Sequence, residues 1–462
     1  MLSCDTFVLG GSRTENGRRL LAKNSDRPLG ECQPLRYFKA EDHGEGEQLH
    51  TTNLVIPQVR HTYALVGCQP YWIWGFEMGV NEKGLCIGNE AEGSRCDGEK
   101  EEGLLGMDLL RLALERSADC KEAINVITGL LKQYGQNANA NPLYDRRYEN
   151  TFILSDRKEA WILETAGRTW AARQAGDMYA VSNCYTIGSD YDLCADDMEQ
   201  IVRDNRFLRP GEIIDFAKAF TKPASRQTNS VPRKRRMEKL LGNEGKVTEA
   251  DIKHVLRDHF EGELIEPRYG AMNANFVSIC MHAQTWDAAQ TAASLICTEL
   301  PGIGTKMLYA ASVPCCSVYI PVYWTDGAAC VLPEVLSAGE GTYSKESLWW
   351  RCEYLSALVS VDEERFGLFV RDALRRTEKH ILAKTIECEN KVKSYFENGA
   401  AEYGRSLLND LTKESTELVY DVTGTLAGMV RDEIAGDGGL YGIRKEMLED
   451  YFHRVKFPAF GE

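Results

Sequence analysis

The sequence is short of positive charge, of long apolar runs and of regularly spaced cysteines, and each shortage excludes something. Its 462 residues carry 54 Lys and Arg against 69 Asp and Glu, a formal net charge of -15. A field of that sign repels nucleic acid and anionic membrane surfaces, so neither is an expected partner. No stretch is long and apolar enough to span a bilayer. The first residues lack a basic segment and an extended apolar run, and Asp5 interrupts them, so no secretory leader is read. Fifteen cysteines are scattered without a CxxC pair and without a Cys/His cluster at zinc-ligand spacing along the chain. An odd set of this kind points to a reducing, cytoplasmic compartment with mostly buried free thiols. No metal or organic cofactor is expected, and the adjacent Cys315 and Cys316 read as packing.

What is present is the balance of a globular protein, 43% hydrophobic and 27% charged, with enough chain for a sizeable core. Asp5–Leu9 and Arg19–Lys23 are β-prone runs around Gly10-Gly11 and Asn16-Gly17, which predicts a hairpin. A turn centred near Glu15 sets Cys4 opposite Asp26 and brings the polar run Asn24–Arg27, read as a loop, beside the start of the chain. Short strands and two helices follow, the helices at Leu104–Leu114 and Cys120–Tyr134 with Ser117 and Asp119 as caps. Strands resume at Thr151–Leu154, Ala160–Glu164, Trp170–Arg173 and Met178–Ser182. Helices are expected at Ile213–Ala219 and Arg235–Leu241, and strands at Asn275–His282, Thr291–Cys297 and Val318–Pro321. This order favours an α+β layered sandwich over a doubly wound sheet. From Ser347 to about His453 the pattern becomes helical, interrupted at Gly399 and Gly436–Gly439. It reads as two or three amphipathic helices forming an appendage or a homo-oligomer contact, which divides the chain into 1–345 and 346–462.

Cys4 stands at the extreme N-terminus. If the bond between Ser3 and Cys4 is cut, Cys4 gains a free α-amine of pKa about 7.7–8.0 beside a thiol of about 8.5. That amine can act as general base for its own side chain. Lys23, Asp26 and Arg27 lie close by in the polar run; a carboxylate there can hold an amine and a cation can lower a thiol's pKa. The basic run Arg226 to Lys239, with Arg233 and Arg236, reads either as a site for a substrate carboxylate or as a solvated helix start. His259 and His282 read as hydrogen-bonded structural residues.

Ser3-Cys4-Asp5, the run Ala22–Pro28, Val80–Leu85 with Ile87–Glu90, Val181-Ser182-Asn183, Thr291–Ile296 and Pro314–Tyr323 occur in that order. Together they resemble the secernin and C69 dipeptidase family of N-terminal-nucleophile hydrolases, beside the bile-salt hydrolases and penicillin V acylases. The resemblance implies a four-layer αββα sandwich with two stacked antiparallel sheets, cysteine attack on a small peptide or amide substrate, and a thioester intermediate. By position it makes Cys4 the nucleophile, Asp26 the holder of the α-amine and Asn183 an oxyanion donor, with Asn89 a second. The bile-salt hydrolases usually carry Arg where Lys23 stands, and Arg27 is a residue that could share its role. Two other functions fit the resemblance. One is a secernin-like regulatory or binding protein with a vestigial site. The other is an acylase or acyltransferase for fatty or aromatic amides, for which Tyr71, Trp72, Trp74 and Phe76 offer a pocket or, in the blander reading, core packing.

Overall fold

The computed structural model describes residues 4–96, 101–223, 230–242, 245–263, 278–283, 285, 288–442 and 445–460. The chain opens with β1 (Cys4–Leu9) and β2 (Leu20–Pro28). Strands β3 (Leu35–Phe38), β4 (Glu41–Asp42), β5 (Gln48–His50), β6 (Val55–Pro57), β7 (His61–Thr62) and β8 (Leu65–Cys68) follow. Then come β9 (Met78–Asn81), β10 (Cys86–Glu92), α1 (Gly106–Arg116) and α2 (Cys120–Tyr134). The middle of the chain supplies β11 (Glu149–Ser155), β12 (Ala160–Ala166), β13 (Thr169–Gln174), β14 (Met178–Val181) and β15 (Leu193–Cys194). Helices α3 (Met198–Asp204), α4 (Phe216–Phe220), α5 (Ser230–Leu241) and α6 (Glu249–Leu256) precede β16 (Ala289–Leu300), β17 (Gly304–Ala311) and β18 (Ile320–Thr325). The tail holds α7 (Glu334–Ser337), α8 (Leu348–Val359), α9 (Glu363–Glu397), α10 (Ala401–Gly436) and α11 (Lys445–Val455).

Two antiparallel sheets dominate. One runs β14-β1-β2-β16-β17-β18, the other β15-β13-β12-β11-β10-β9-β8-β3. Alternation along the strands gives each sheet two apolar faces. Val8, Leu21, Leu295, Met307 and Val322 of the first sheet meet Val66, Met78, Val80, Ile153 and Ile162 of the second in the central core. The outer face of the first, through Phe7, Leu20, Ala22, Ile296 and Leu308, packs on Met237 and Leu241 of α5 and Ile252 and Val255 of α6. The outer face of the second, through Leu65, Ile87, Phe152 and Leu163, packs on α1 and α2. The layers are therefore α, β, β, α, as the resemblance implies.

Local chemistry explains the boundaries. The Asp119 side chain accepts the Glu122 N–H at the start of α2, and Gly135, at φ +70°, ends it. Ser117 follows α1 instead of opening α2. The hairpin forms with Cys4 opposite Ser25, one residue from the expected register. The Asn24–Arg27 run, expected as a loop, continues β2 as buried strand. Of the expected strand Asn275–His282, residues 275–277 lie outside the described residues and Ser278–His282 is irregular. Arg226 of the basic run also lies outside them.

The C-terminal part is helical, with four helices from α8 to α11 where two or three were expected. Gly399, at φ +76°, turns the chain between α9 and α10. The two long helices, each about 50 Å, form a hairpin laced by Arg365–Glu433 and Lys384–Glu414 ion pairs. Trp349, Trp350, Leu355, Val370 and Val419 join the same core as the sheets, so this part is packed onto the sandwich. Among the described residues, no helix is long and apolar enough to cross a membrane. All fifteen cysteines are free thiols.

Candidate active site

Strands β14, β1, β2 and β16 are neighbours, and one end of them gathers Asn183, Cys4, Asp26 and Thr291. Cys4 is 5% exposed. Its backbone N–H donates to Asn183 Oδ1 at 2.9 Å, and its Sγ accepts the Asp26 N–H at 3.2 Å. Both functional ends of one residue are thus held, the nitrogen by a side-chain amide and the sulfur by a backbone donor. Burial pushes the Cys4 thiol well above its usual range. Lys23 pulls the other way, and Glu90, Glu77 and Asp26 add to the rise. A resting thiolate is therefore disfavoured.

The structure distinguishes the two arginines of the basic run. Arg233 is fully buried and lies against Cys4. Its Nη1 donates to Cys4 O at 3.1 Å and to Asp5 Oδ2 at 2.5 Å, and its Nη2 donates to Asn183 Oδ1 at 2.9 Å. Its fork therefore ties three groups of the site together. These contacts are all to protein groups, where the sequence offered Arg233 as a contact for a substrate carboxylate. Arg236 is not brought to Cys4. It pairs with Asp258 at 2.7 Å and with Glu263 at 3.0 Å.

Lys23 lies buried beneath Cys4. Its Nζ donates to Asn89 O at 2.6 Å and to Glu90 Oε1 at 3.3 Å. Gly88 gives it room, because a Cβ there would stand 2.9 Å from Lys23 Cδ. Lys23 is thus an internal cation held by protein groups. Arg27 is also internal, paired with Glu31 at 2.7 Å and Glu77 at 3.1 Å. Asp26 Oδ1 accepts the Thr291 hydroxyl at 2.6 Å. The Cys4 N–H is held by Asn183 Oδ1, a contact the sequence reading did not assign. The Asn89 side chain sits between Asn150 Oδ1, at 3.1 Å, and Glu77. The Asn183 Nδ2 donates to Ala91 O at 2.8 Å.

Sequence reasoning passed over Asp5, Glu77, Glu90 and Thr291 as functional residues. Asp5 and Glu90 stood inside the quoted motifs, and their partners Arg233 and Lys23 only become visible in three dimensions. Glu77 carried no local signal. The aromatic cluster divides: Phe76 is core and, with Trp74, packs around the Arg111 guanidinium, while Trp72 lies with Tyr148 against Ile73 and Ala140.

His259 and His282 belong to a separate cluster. They meet each other, with Nε2 atoms 3.1 Å apart, beside Cys280 and Cys315. The expectation that no Cys/His set has metal-site spacing holds along the chain and is corrected in space. Cys315 is likewise part of a polar cluster, where packing alone was expected.

The loop after Asn183 is fastened by Glu164, which accepts the Thr186 N–H at 2.5 Å and the Ile187 N–H at 3.1 Å. Burial raises this carboxyl to about 7, against the hydrogen bonds from Thr186 and Ile187. A raised acid binds its proton more tightly folded than unfolded. Its contribution to stability is present below pH 4.5 and is lost as pH rises to about 7. Urea midpoints measured across that window are expected to fall with pH. In Glu164→Gln that component of the slope is expected to vanish, and an unchanged slope would contradict the assignment.

Residues 3–233 match the family model for Peptidase family C69. A dipeptidase of Bifidobacterium longum (strain NCC 2705) is 24% identical over 347 residues, covering 59% of this chain and 61% of that protein. The chain thus spans less than two thirds of that relative's length. Probable dipeptidase B of Lactococcus lactis subsp. lactis (strain IL1403) is 24% identical over 475 residues, covering 92% of this chain and 94% of that protein. Two solved structures of the conjugated bile acid hydrolase from Clostridium perfringens, a mutant and a variant, match at 13% and 12% identity. They have TM-scores of 0.37 and 0.38, and each match covers 67% of this chain and 89% of that one. With Cys4, Asp26, Asn183 and Arg233 all inside the matched segment, the chain belongs to peptidase family C69.

Proposed function

We propose that the chain is a cysteine amidohydrolase of dipeptidase type, matured by removal of whatever precedes Cys4. The observation that carries this reading is the double hold on Cys4, its nitrogen on Asn183 Oδ1 and its sulfur on the Asp26 N–H. Dipeptidase relatives supply the substrate class.

The chemistry follows from the thiol's raised pKa. The α-amine of Cys4 takes the thiol proton as Sγ attacks the amide carbonyl, so little free thiolate is needed at rest. The carbonyl oxygen becomes an oxyanion. The Asn183 amide carries two N–H donors, one of them on Ala91 O, and the second is available to the oxyanion. Collapse breaks the C–N bond, the α-ammonium returns the proton to the leaving amine, and a thioester remains. Water, deprotonated by the same amine, then releases the acid and the thiol. Arg233 positions rather than reacts: it holds Asn183 Oδ1 toward the Cys4 nitrogen. Lys23 supplies the buried positive charge that opposes Glu90 and Glu77 around the sulfur.

A thiol-directed alkylating probe tests this reading without knowledge of the substrate. Native protein should label at Cys4 at least about tenfold faster than at any other cysteine, despite its burial. Labelling at Cys4 no faster than at the other buried thiols would contradict an activated nucleophile.

A further inference from the structure

On the far side of β2 from the second sheet, four side chains from three separate segments converge. His259 follows the end of α6, Cys280 and His282 lie on the irregular segment before β16, and Cys315 lies on the 3-10 turn Pro314–Cys316. One donor atom from each lies within 4.8 Å of all the others. The described spacings are 3.1 Å between the two imidazole Nε2 atoms, 3.3 Å from His282 Nε2 to Cys315 Sγ and 3.8 Å from His282 Nε2 to Cys280 Sγ. A tetrahedral zinc, with Zn–N of about 2.0 Å and Zn–S of about 2.3 Å, spans donor edges of about 3.3 Å for N–N and about 3.5 Å for N–S. The cluster therefore already has the size and the two-His, two-Cys donor set of a closed tetrahedral site.

The surroundings are built to hold these donors. His259 Nδ1 faces Glu261 Oε1 at 3.0 Å, the outer carboxylate that orients a ligating imidazole and fixes Nε2 as the donor. The turn carrying Cys315 is clamped by Arg257, whose Nε donates to Pro314 O at 2.8 Å, and by Arg375 on Cys315 O at 3.4 Å. Cys280 N–H donates to Asp258 O at 3.0 Å, beside His259. Cys280 and Cys315 are buried, and the two histidines are partly buried.

We propose that His259, Cys280, His282 and Cys315 form a structural site for a soft, tetrahedral divalent cation of the zinc type. Binding displaces the two thiol protons and forms two M–S and two M–N bonds, with no redox change. The site fastens the end of α6, the segment before β16 and the 3-10 turn to one another. That fastening reaches the nucleophile. Met281 and Thr291 exchange hydrogen bonds, Thr291 donates to Asp26, and the Asn24 amide donates to Leu256 O and Ile279 O.

The test uses full-length protein purified under reducing conditions, stripped with a strong chelator and titrated with cobalt(II). The expected result is saturation at about one cobalt per chain, with a thiolate-to-cobalt charge-transfer band and the intense visible bands of tetrahedral cobalt. Zinc should displace it. Charge-transfer intensity should fall by about half in Cys280→Ser, which keeps one thiolate, and should be unchanged in Cys4→Ala. A stripped wild type that binds no cobalt would overturn the proposal. So would cobalt bands that survive intact in Cys280→Ser/Cys315→Ser. In either case the four side chains are only a hydrogen-bonded thiol–imidazole network. Because the readout is made on wild type first, a variant that fails to fold leaves the answer intact.

Discussion

Cys4→Ala is expected to lower kcat/KM for dipeptide hydrolysis by at least about a thousandfold while leaving the fold intact. The substitution removes the attacking atom and nothing structural of comparable weight: the Asn183 contact is to the backbone nitrogen, which alanine keeps, and a buried sulfur is replaced by a small void. Cys4→Ser should fall between the two, because a hydroxyl accepts the Asp26 N–H but its proton is far harder to remove. Rates on a dipeptide library, with melting temperatures recorded beside them, separate loss of chemistry from loss of fold. Unchanged turnover in Cys4→Ala would remove the mechanism.

The second large effect concerns stability. Arg233→Met is expected to destabilise the protein by about 3–5 kcal/mol, the cost of leaving one partner of a buried ion pair alone. Asp5 and Arg233 are both fully buried and 2.5 Å apart. Removing the guanidinium strands the Asp5 carboxylate in the core and unties Cys4 O and Asn183 Oδ1 as well. Asp5→Asn/Arg233→Met should recover much of that stability, because the uncompensated charge is gone. It should not recover activity, because Asn183 still lacks its second anchor. Urea unfolding of the two single variants and the double gives the coupling directly. Additive losses would show that the pair does not act as a unit.

Much of the sandwich was legible because it is written in short-range patterns. Strands β11 to β14 announce themselves by β-prone runs between turns, and α2 by its Asp119 cap and the spacing of Ile124, Ile127 and Leu131. The hairpin was legible too, but its register was not. The connection between β1 and β2 docks outward, with Arg13 donating to Leu241 O and Gly242 O and Glu15 N–H bonding Val247 O. Contacts more than 200 residues away thus set the pairing that puts Cys4 opposite Ser25. The Asn24–Arg27 run looked like a loop because it is polar. It is strand because its side chains find partners beyond it: Asn24 on Leu256 and Ile279, Ser25 on Gln33, Asp26 on Thr291, Arg27 on Glu77. Tertiary partners override local propensity there.

The candidate site divides the same way. Cys4 and Asn183 were readable as types of residue suited to amide chemistry, whereas telling Arg233 from Arg236 required their distant partners, Asp5 and Asn183 for the one and Asp258 for the other. The Cys/His cluster was illegible for a simpler reason. Its members stand at 259, 280, 282 and 315, and only the tertiary packing of three separate segments turns those separations into a few ångströms.

The central claim is that one residue supplies both the attacking sulfur and, through its own free amine, the base. The most direct measurement is the intact mass and N-terminal sequence of an active, wild-type preparation. The account predicts a chain that begins at Cys4, with activity proportional to the fraction so processed. Full activity in protein that still carries residues ahead of Cys4, its nitrogen committed to a peptide bond, would contradict it.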